Sequence, residues 1–225
     1  MTLLNLSDGH FSPLWVGIGW ILFALAIIWS IRTAPWHKIK GDSEAQHVFI
    51  GTTVILFFLW ISSASIGDGL SFHVLLVTAV TLMFGPQFAL FAASLALVGV
   101  TLMGKSGGMM FGVNAVLMAV IPVSISWIMA VLAYRYLERH FFVFVLFNAF
   151  FAAAASTFVA LLSAAAVMWL GGLHETEKLT QSFLPYIPMM VIPEAFANGL
   201  VILTLVILKP QWVSCFDDDE FLKGK

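Results

Sequence analysis

A chain of 225 residues with 61% hydrophobic and 10% charged residues is not an ordinary soluble domain, because such domains carry about a quarter charged residues. The net charge of −2 and the lack of a basic patch argue against a nucleic-acid partner, and one cysteine, Cys215, excludes an internal disulfide. The apolar stretches suit helices better than the short alternating strands of a membrane barrel. We therefore expect an all-α, multi-pass membrane protein with the lipid bilayer as its solvent.

Seven transmembrane helices are predicted from these apolar stretches. No Lys or Arg precedes the first stretch, so it is expected to be a permanent helix and not a signal peptide. The breaker Gly85–Pro86 divides an apolar block that is too long for one span and short for two. The predicted spans are 13–31, 47–66, from within GDGLSFH (67–73) to the breaker, from there to 103, 109–134, 141–170 and 185–208. Residues 1–210 form one predicted permease domain, and 211–225 form a short acidic tail.

The basic residues predict the orientation of this bundle. With seven helices, eight basic residues fall on one side and two on the other: Arg32, Lys38, Lys40, Arg135, Arg139, Lys209, Lys223 and Lys225 against Lys105 and Lys178. Positive charge stays cytoplasmic, which places the N-terminus outside and the acidic tail inside. Asp8, His10, Asp68 and His73 then share the outer side.

Two stretches on that outer side contain residues with metal-binding chemistry. His73 begins an apolar run, and it is either an interfacial histidine with a hydrogen-bonded ring or a ligand, because neutral imidazole suits Ni, Co, Cu and Zn. Asp8 and His10 lie just before the first helix, where Asp8 either caps that helix or joins a metal site. The residues alone leave these alternatives open.

Two polar residues lie within the last predicted helix. Glu194, in VIPEAFANG, is the one acid well inside an apolar run, and Asn198 follows four residues later on the same face. Ionisable groups inside a membrane are costly and usually face a cavity or a partner. Glu194 is therefore either functional or hydrogen-bonded to a neighbouring helix.

The segment GKSGGMMFGVNAVLMAVIP, residues 104–122, combines glycines, methionines and an asparagine. The glycines permit a tight turn or a close backbone approach, and a buried Asn114 needs a partner. Met109, Met110 and Met118 offer thioether ligands to copper, although adaptable packing is the favoured interpretation. With no phosphate-binding GxxxxGK[ST] loop and no nucleophile–base pair, we expect neither nucleotide hydrolysis nor an enzyme.

Four motifs follow one another along the chain. SDGHFSP places an acid, a glycine and an aromatic residue ahead of a proline, and LSFH precedes FGPQ with Phe84 eleven residues after His73. GVNAVLMAVIP and IPEAFANG come later. In this order and spacing they resemble the CbiM/NikM family, the substrate-binding membrane subunits of energy-coupling factor importers for cobalt and nickel, over almost the whole chain.

The resemblance implies a seven-helix importer subunit with its N-terminus threaded into the bundle. In the family, the N-terminal amine, the second-residue histidine and the histidine of the later motif bind the metal, and His73 matches the last of these. The leading Met-His is missing here, because Thr2 follows Met1 and alignment through Asp8 puts Asn5 at the histidine position. Asn198 takes the place of a family glutamate. An unchanged amino-terminal nitrogen site is therefore not expected.

The main hypothesis is the substrate-capturing component of an energy-coupling factor ABC importer in the bacterial inner membrane. It captures Ni²⁺ or Co²⁺ as a transported substrate, has no permanently bound cofactor, and works with a coupling membrane subunit and cytoplasmic ATPases. The implied site is His73 with His10 or Asp8 as ligands, supported by Asn114, Glu194 and Asn198.

Two alternatives use the same scaffold. Without the amine–histidine chelate, the cavity would bind a small organic molecule or a metal chelate. In a non-transport accessory protein, the small residues at 152–156 and 163–166 would form a partner surface.

Overall fold

The computed structural model describes residues 6–8, 12–62, 64–66, 70–172, 184–217 and 221. Within these ranges, six helices are long and apolar enough to cross a membrane. They are α1 (Pro13–Thr33), α2 (Ser43–Ile61), α3 (Val77–Leu102), α4 (Phe111–Tyr136), α5 (Phe141–Leu170) and α6 (Ile187–Leu208), the last preceded by a 3₁₀ turn at Leu184–Tyr186. Strands β1 (Ala64–Ile66) and β2 (Leu70–Phe72) form an antiparallel hairpin between α2 and α3.

Three predicted boundaries of α2 and α3 are wrong. α2 begins at Ser43 rather than at 47, because Asp42 caps it: its Oδ1 accepts a hydrogen bond of 2.9 Å from the Ala45 N–H. α2 ends at Ile61 rather than at 66, and α3 begins at Val77 rather than within 67–73. The strands occupy the residues that the apolar pattern assigned to helix ends.

α3 consists of two helical segments, as the Gly85–Pro86 breaker predicted. Gly85 has φ of 79° and ψ of 169°, which glycine adopts without steric cost, and the following Pro86 has no N–H for a helical hydrogen bond. The segments are 77–84 and 86–102.

The first segment descends along α2. The Trp60 indole N–H, near the end of α2, donates to the Leu75 carbonyl at 3.1 Å. Phe84 and Phe88, on either side of the break, both contact Phe49 near the start of α2, with ring centroids 5.6 and 6.1 Å apart.

The second segment returns toward the end of α2, where a Cβ at Gly99 would meet the Phe57 ring. The described chain therefore passes seven times between the two ends of the bundle, which confirms the predicted all-α architecture of about seven helices. We call the end that holds 6–8, 73–76 and 104–110 the N-terminal end, and the end that holds 34–42, 82–87 and 209–217 the C-terminal end. The predicted outward orientation of the N-terminal end stays a prediction.

α3 lies in the centre of the bundle, and α1 and α2 lie at its edge. Alanines of the second segment of α3 are almost completely buried, whereas α1 and α2 expose large apolar side chains such as Leu25 (60%) and Phe58 (60%). These exposed side chains are suited to contact with lipid. α1 also contacts α4 closely, since a Cβ at Gly112 would lie 2.6 Å from the backbone nitrogen of Trp20.

Candidate functional site

Asn114 of α4 holds the N-terminal segment inside the bundle. Leu6 is fully buried, and its N–H donates to the Asn114 Oδ1 at 2.8 Å. The Asn114 Nδ2 donates in return to the Leu6 carbonyl at 2.9 Å and to the Ser106 hydroxyl at 3.1 Å. One side chain thus satisfies both backbone groups of Leu6, which are costly to bury unpaired.

Asp8 binds the start of α4 and not the start of α1. Its Oδ1 accepts a hydrogen bond of 3.0 Å from the Met110 N–H, directly before Phe111. A Cβ at Gly107 would lie 2.7 Å from the Asp8 nitrogen, so glycine permits this approach. Ser12, the N-cap of α1, makes no side-chain capping bond. Capping is one of the two interpretations of Asp8, although the capped helix differs from the one expected.

His73 is buried at the N-terminal end with a free ring nitrogen. Its Nδ1 has no hydrogen-bond partner within the described part of the chain, and its ring lies 5.9 Å from the Trp60 ring. Burial lowers the pKa of His73 to about 4, against a smaller opposing effect of the Val74 backbone, so the imidazole is neutral at physiological pH. A neutral imidazole is the form that binds a metal ion.

Glu194 holds the backbone that follows His73. Its Oε2 accepts from the Leu75 N–H and its Oε1 from the Leu76 N–H, both at 2.7 Å. The Asn198 Nδ2 donates to the same Oε1 at 2.8 Å. Both oxygens of this buried carboxylate are therefore occupied, as in the interpretation of Glu194 as an acid bonded to a neighbouring helix.

Asn198 completes this arrangement by bonding to α3 itself. Its Oδ1 accepts from the Ala79 N–H at 2.7 Å, which satisfies one of the orphan donors in the first turn of α3. Leu76, at the N-cap of α3, has φ of 57° and is the one non-glycine residue with positive φ in the described ranges. Such a conformation costs about 1–3 kcal/mol and persists only where its surroundings enforce it. We call Glu194 and Asn198 the α6 clamp.

A hydroxyl cluster that the sequence did not suggest joins three helices next to the clamp. The Thr78 hydroxyl of α3 lies 2.7 Å from the Ser126 hydroxyl of α4 and 3.1 Å from the Ser156 hydroxyl of α5. Small hydroxyl residues inside apolar helices are the available signal for such contacts.

Of the predicted ligands, His73 and Asp8 lie within the described residues. His10 and Asp68 lie outside the described residues. Within the described ranges, no group of three or more His, Cys, Asp and Glu side chains is placed to hold a metal ion. Met110 and Met118 are buried in the main apolar cluster, together with Leu6 and Leu75, which fits packing.

Residues 5–212 match the family described as CbiM, the cobalt uptake substrate-specific transmembrane region. The chain belongs to the CbiM family. This membership confirms the resemblance seen in the motifs and identifies the chain as a multi-pass membrane component of a metal transporter, not an enzyme. CbiM proteins are components of multi-subunit transporters.

Solved structures share the CbiM fold of this chain. A transition metal transporter has a TM-score of 0.69 at 17% identity, covering 91% of this chain and 93% of that one. A truncated transition metal transporter has a TM-score of 0.68 at 17% identity, covering 90% and 98%. No individual curated protein matches the chain significantly.

Proposed function

We propose that this CbiM-family chain is the substrate-capturing subunit of an energy-coupling factor importer for Ni²⁺ or Co²⁺ in the bacterial inner membrane. The observation that supports this proposal best is the unpartnered Nδ1 of His73. A buried polar atom without a partner is uncommon and calls for an explanation, and a bound metal ion supplies one. The similar solved structures, both of transition metal transporters, agree with this class of substrate.

His73 is the primary ligand in this proposal. Nitrogen ligands such as imidazole suit Ni²⁺ and Co²⁺, and the lowered pKa keeps the ring deprotonated well below neutral pH. The second ligand comes from the N-terminal segment, as His10 or as the remaining oxygen of Asp8. The hydrogen bonds between Asn114 and the Leu6 backbone hold residues 6–8 at the N-terminal end of the bundle.

Glu194 and Asn198 support the site without binding the ion. Both carboxylate oxygens of Glu194 already accept hydrogen bonds, so a metal ion would have to displace backbone donors. The clamp instead fixes the backbone two residues after His73, which limits the positions of the imidazole. A coupling membrane subunit and cytoplasmic ATPases supply the energy for transport.

Calorimetric titration of the purified chain with Ni²⁺, Co²⁺, Cu²⁺ and Zn²⁺ tests the proposal. We expect near-stoichiometric binding of Ni²⁺ or Co²⁺, and a loss of about 100-fold or more in His73→Ala, since even residues that only support a ligand contribute 10- to 100-fold. His37→Ala, at the opposite end of the bundle, is the matched control and should bind normally. Equal affinity in wild type and His73→Ala would exclude His73 as a ligand.

A chelated metal or a small organic molecule is the second candidate substrate. The observation that favours it is Asn5, which stands at the position of a family histidine in the alignment through Asp8 and lacks an imidazole nitrogen. Absence of binding for all four free metal ions would support this candidate.

A further inference from the structure

We propose that segment 77–84 of α3 is a hinged element that links residues 213–216, at the C-terminal end, to the position of His73 at the N-terminal end. Leu76, the N-cap with φ of 57°, precedes this segment, and Gly85, with φ of 79°, separates it from the rest of α3. Both residues leave the right-handed helical region, so the segment is a short rod with a bend at each end.

The C-terminal end of the rod is held by backbone bonds from the chain after α6. Pro86 has no N–H, so the Leu82 carbonyl lacks its helical donor four residues on. The Cys215 N–H takes that place at 3.2 Å, and the Ser214 N–H donates to the neighbouring Met83 carbonyl at 3.0 Å.

The N-terminal end of the rod is held by α6 itself. Glu194 accepts from the N–H groups of Leu75 and Leu76, and Asn198 accepts from that of Ala79. Both ends of the rod are thus tied to α6 and the residues that follow it, while Thr78 within the rod also bonds to Ser126 of α4 and Ser156 of α5.

The rod also has free volume beside it. An open groove of about 660 Å³ lies between α2 and α6, and its lining includes Leu76, Ala79, Val80 and Met83. A second groove, of about 610 Å³, adjoins the break and Ser214. The rod itself is buried, like the second segment of α3: Val77, Ala79 and Leu82 are 0–1% exposed.

The residues after α6 have their own anchor at the C-terminal end. The rings of Phe216 and Phe221 lie 5.0 and 5.2 Å from the Phe144 ring of α5. A displacement of this aromatic group relative to α5 would pull on the carbonyls of Leu82 and Met83. The rod would then carry the displacement to the His73 loop. The effect on metal affinity depends on the proposed function, but the mechanical link does not.

Cys215 is the single cysteine of the chain and reports on the link directly. Cys215 is half-buried, and burial raises the pKa of its thiol to about 11, so little thiolate is present to react with a maleimide while the bonds described above are intact. Asn198→Ala removes one of the ties at the far end of the rod, the acceptor of the Ala79 N–H, together with two bonds to Glu194. We expect it to increase the labelling rate of Cys215 by about fivefold or more, since loss of the Ala79 bond alone would change an opening equilibrium about fivefold.

Thr101→Val and Ser163→Ala are the controls, because each removes one hydroxyl bond within a helix outside the rod. All variants are labelled as full-length protein, each at a temperature the same number of degrees below its own melting temperature. Glu194→Gln replaces Asn198→Ala if that variant does not fold. A rate in the clamp variant equal to that in the controls would overturn the link.

Metal affinity provides the second readout. Ser214→Pro removes the N–H that donates to Met83, and Val213 already has the extended backbone that precedes proline. Ser214→Ala keeps this N–H and loses only a long hydroxyl bond of 3.5 Å to the Leu82 carbonyl. We expect a fall in Ni²⁺ affinity of about fivefold in Ser214→Pro and normal affinity in Ser214→Ala. Normal Ni²⁺ affinity in both Ser214 variants would overturn the link between the two ends of the rod and leave the metal function intact. Failure of the wild type to bind Ni²⁺ would contradict the metal function, and Cys215 labelling alone would then decide the link.

Discussion

Glu194 and His73 are both buried at the same end of the bundle, but they differ in whether their hydrogen-bonding atoms have partners. Every carboxylate oxygen of Glu194 accepts at least one hydrogen bond, whereas the Nδ1 of His73 has no partner among the described residues. A satisfied buried group stabilises a fold, and an unsatisfied one costs free energy unless a ligand uses it. The comparison separates the structural acid from the candidate ligand.

The largest expected effect comes from removing the satisfied group. Glu194→Ala leaves the buried N–H groups of Leu75 and Leu76 without acceptors, at about 1–3 kcal/mol each. We expect a loss of about 4 kcal/mol in stability, measured as a lower melting temperature in detergent, with Glu194→Gln less affected. A melting temperature near that of the wild type would show that the clamp does not hold the α3 start.

The next largest expected effect is the loss of stability at low pH that His73 causes. His73 has a pKa of about 4 in the folded chain and 6.5 when exposed, so only the unfolded chain is protonated between these values. Stability should therefore fall as pH drops from 6.5 toward 4, by on the order of 3 kcal/mol from this residue. Melting curves of His73→Gln should show a shallower fall, and parallel curves would contradict the assignment.

A smaller effect separates two buried asparagines. Asn114→Ala leaves both backbone groups of Leu6 unpaired and should cost about 2 kcal/mol. Asn148 is also buried, but its Oδ1 has no partner among the described residues, so Asn148→Ala should cost less. Equal losses in melting temperature would mean that burial, not pairing, decides the cost.

The smallest expected effect is at Asp8, which is exposed. Asp8→Ala removes the acceptor for the Met110 N–H and should cost about 1 kcal/mol, the usual value of a helix cap, while Asp8→Asn keeps an acceptor. If Asp8 is also the second ligand, both variants will weaken Ni²⁺ binding, because the amide lacks the charge. Normal binding in Asp8→Asn would leave capping as its only role.

The sequence predicted the helical bundle because long apolar runs and the Gly85–Pro86 breaker are local signals. It did not predict the paired strands 64–66 and 70–72 or the early start of α2, which depend on strand pairing and on one cap. Glu194 and Asn114 were recognisable as polar residues in apolar surroundings. Their partners were not, because Leu75 is 119 residues from Glu194 and Leu6 is 108 residues from Asn114.

The proposed function requires that the unpartnered nitrogen of His73 binds the transported metal. X-ray absorption spectroscopy of the Ni²⁺-loaded chain in lipid nanodiscs can detect this bond, with His73→Ala and His37→Ala alongside the wild type. We expect imidazole scattering around nickel in the wild type and in His37→Ala, and its loss or reduction in His73→Ala. Identical spectra for all three proteins would exclude His73 as a ligand.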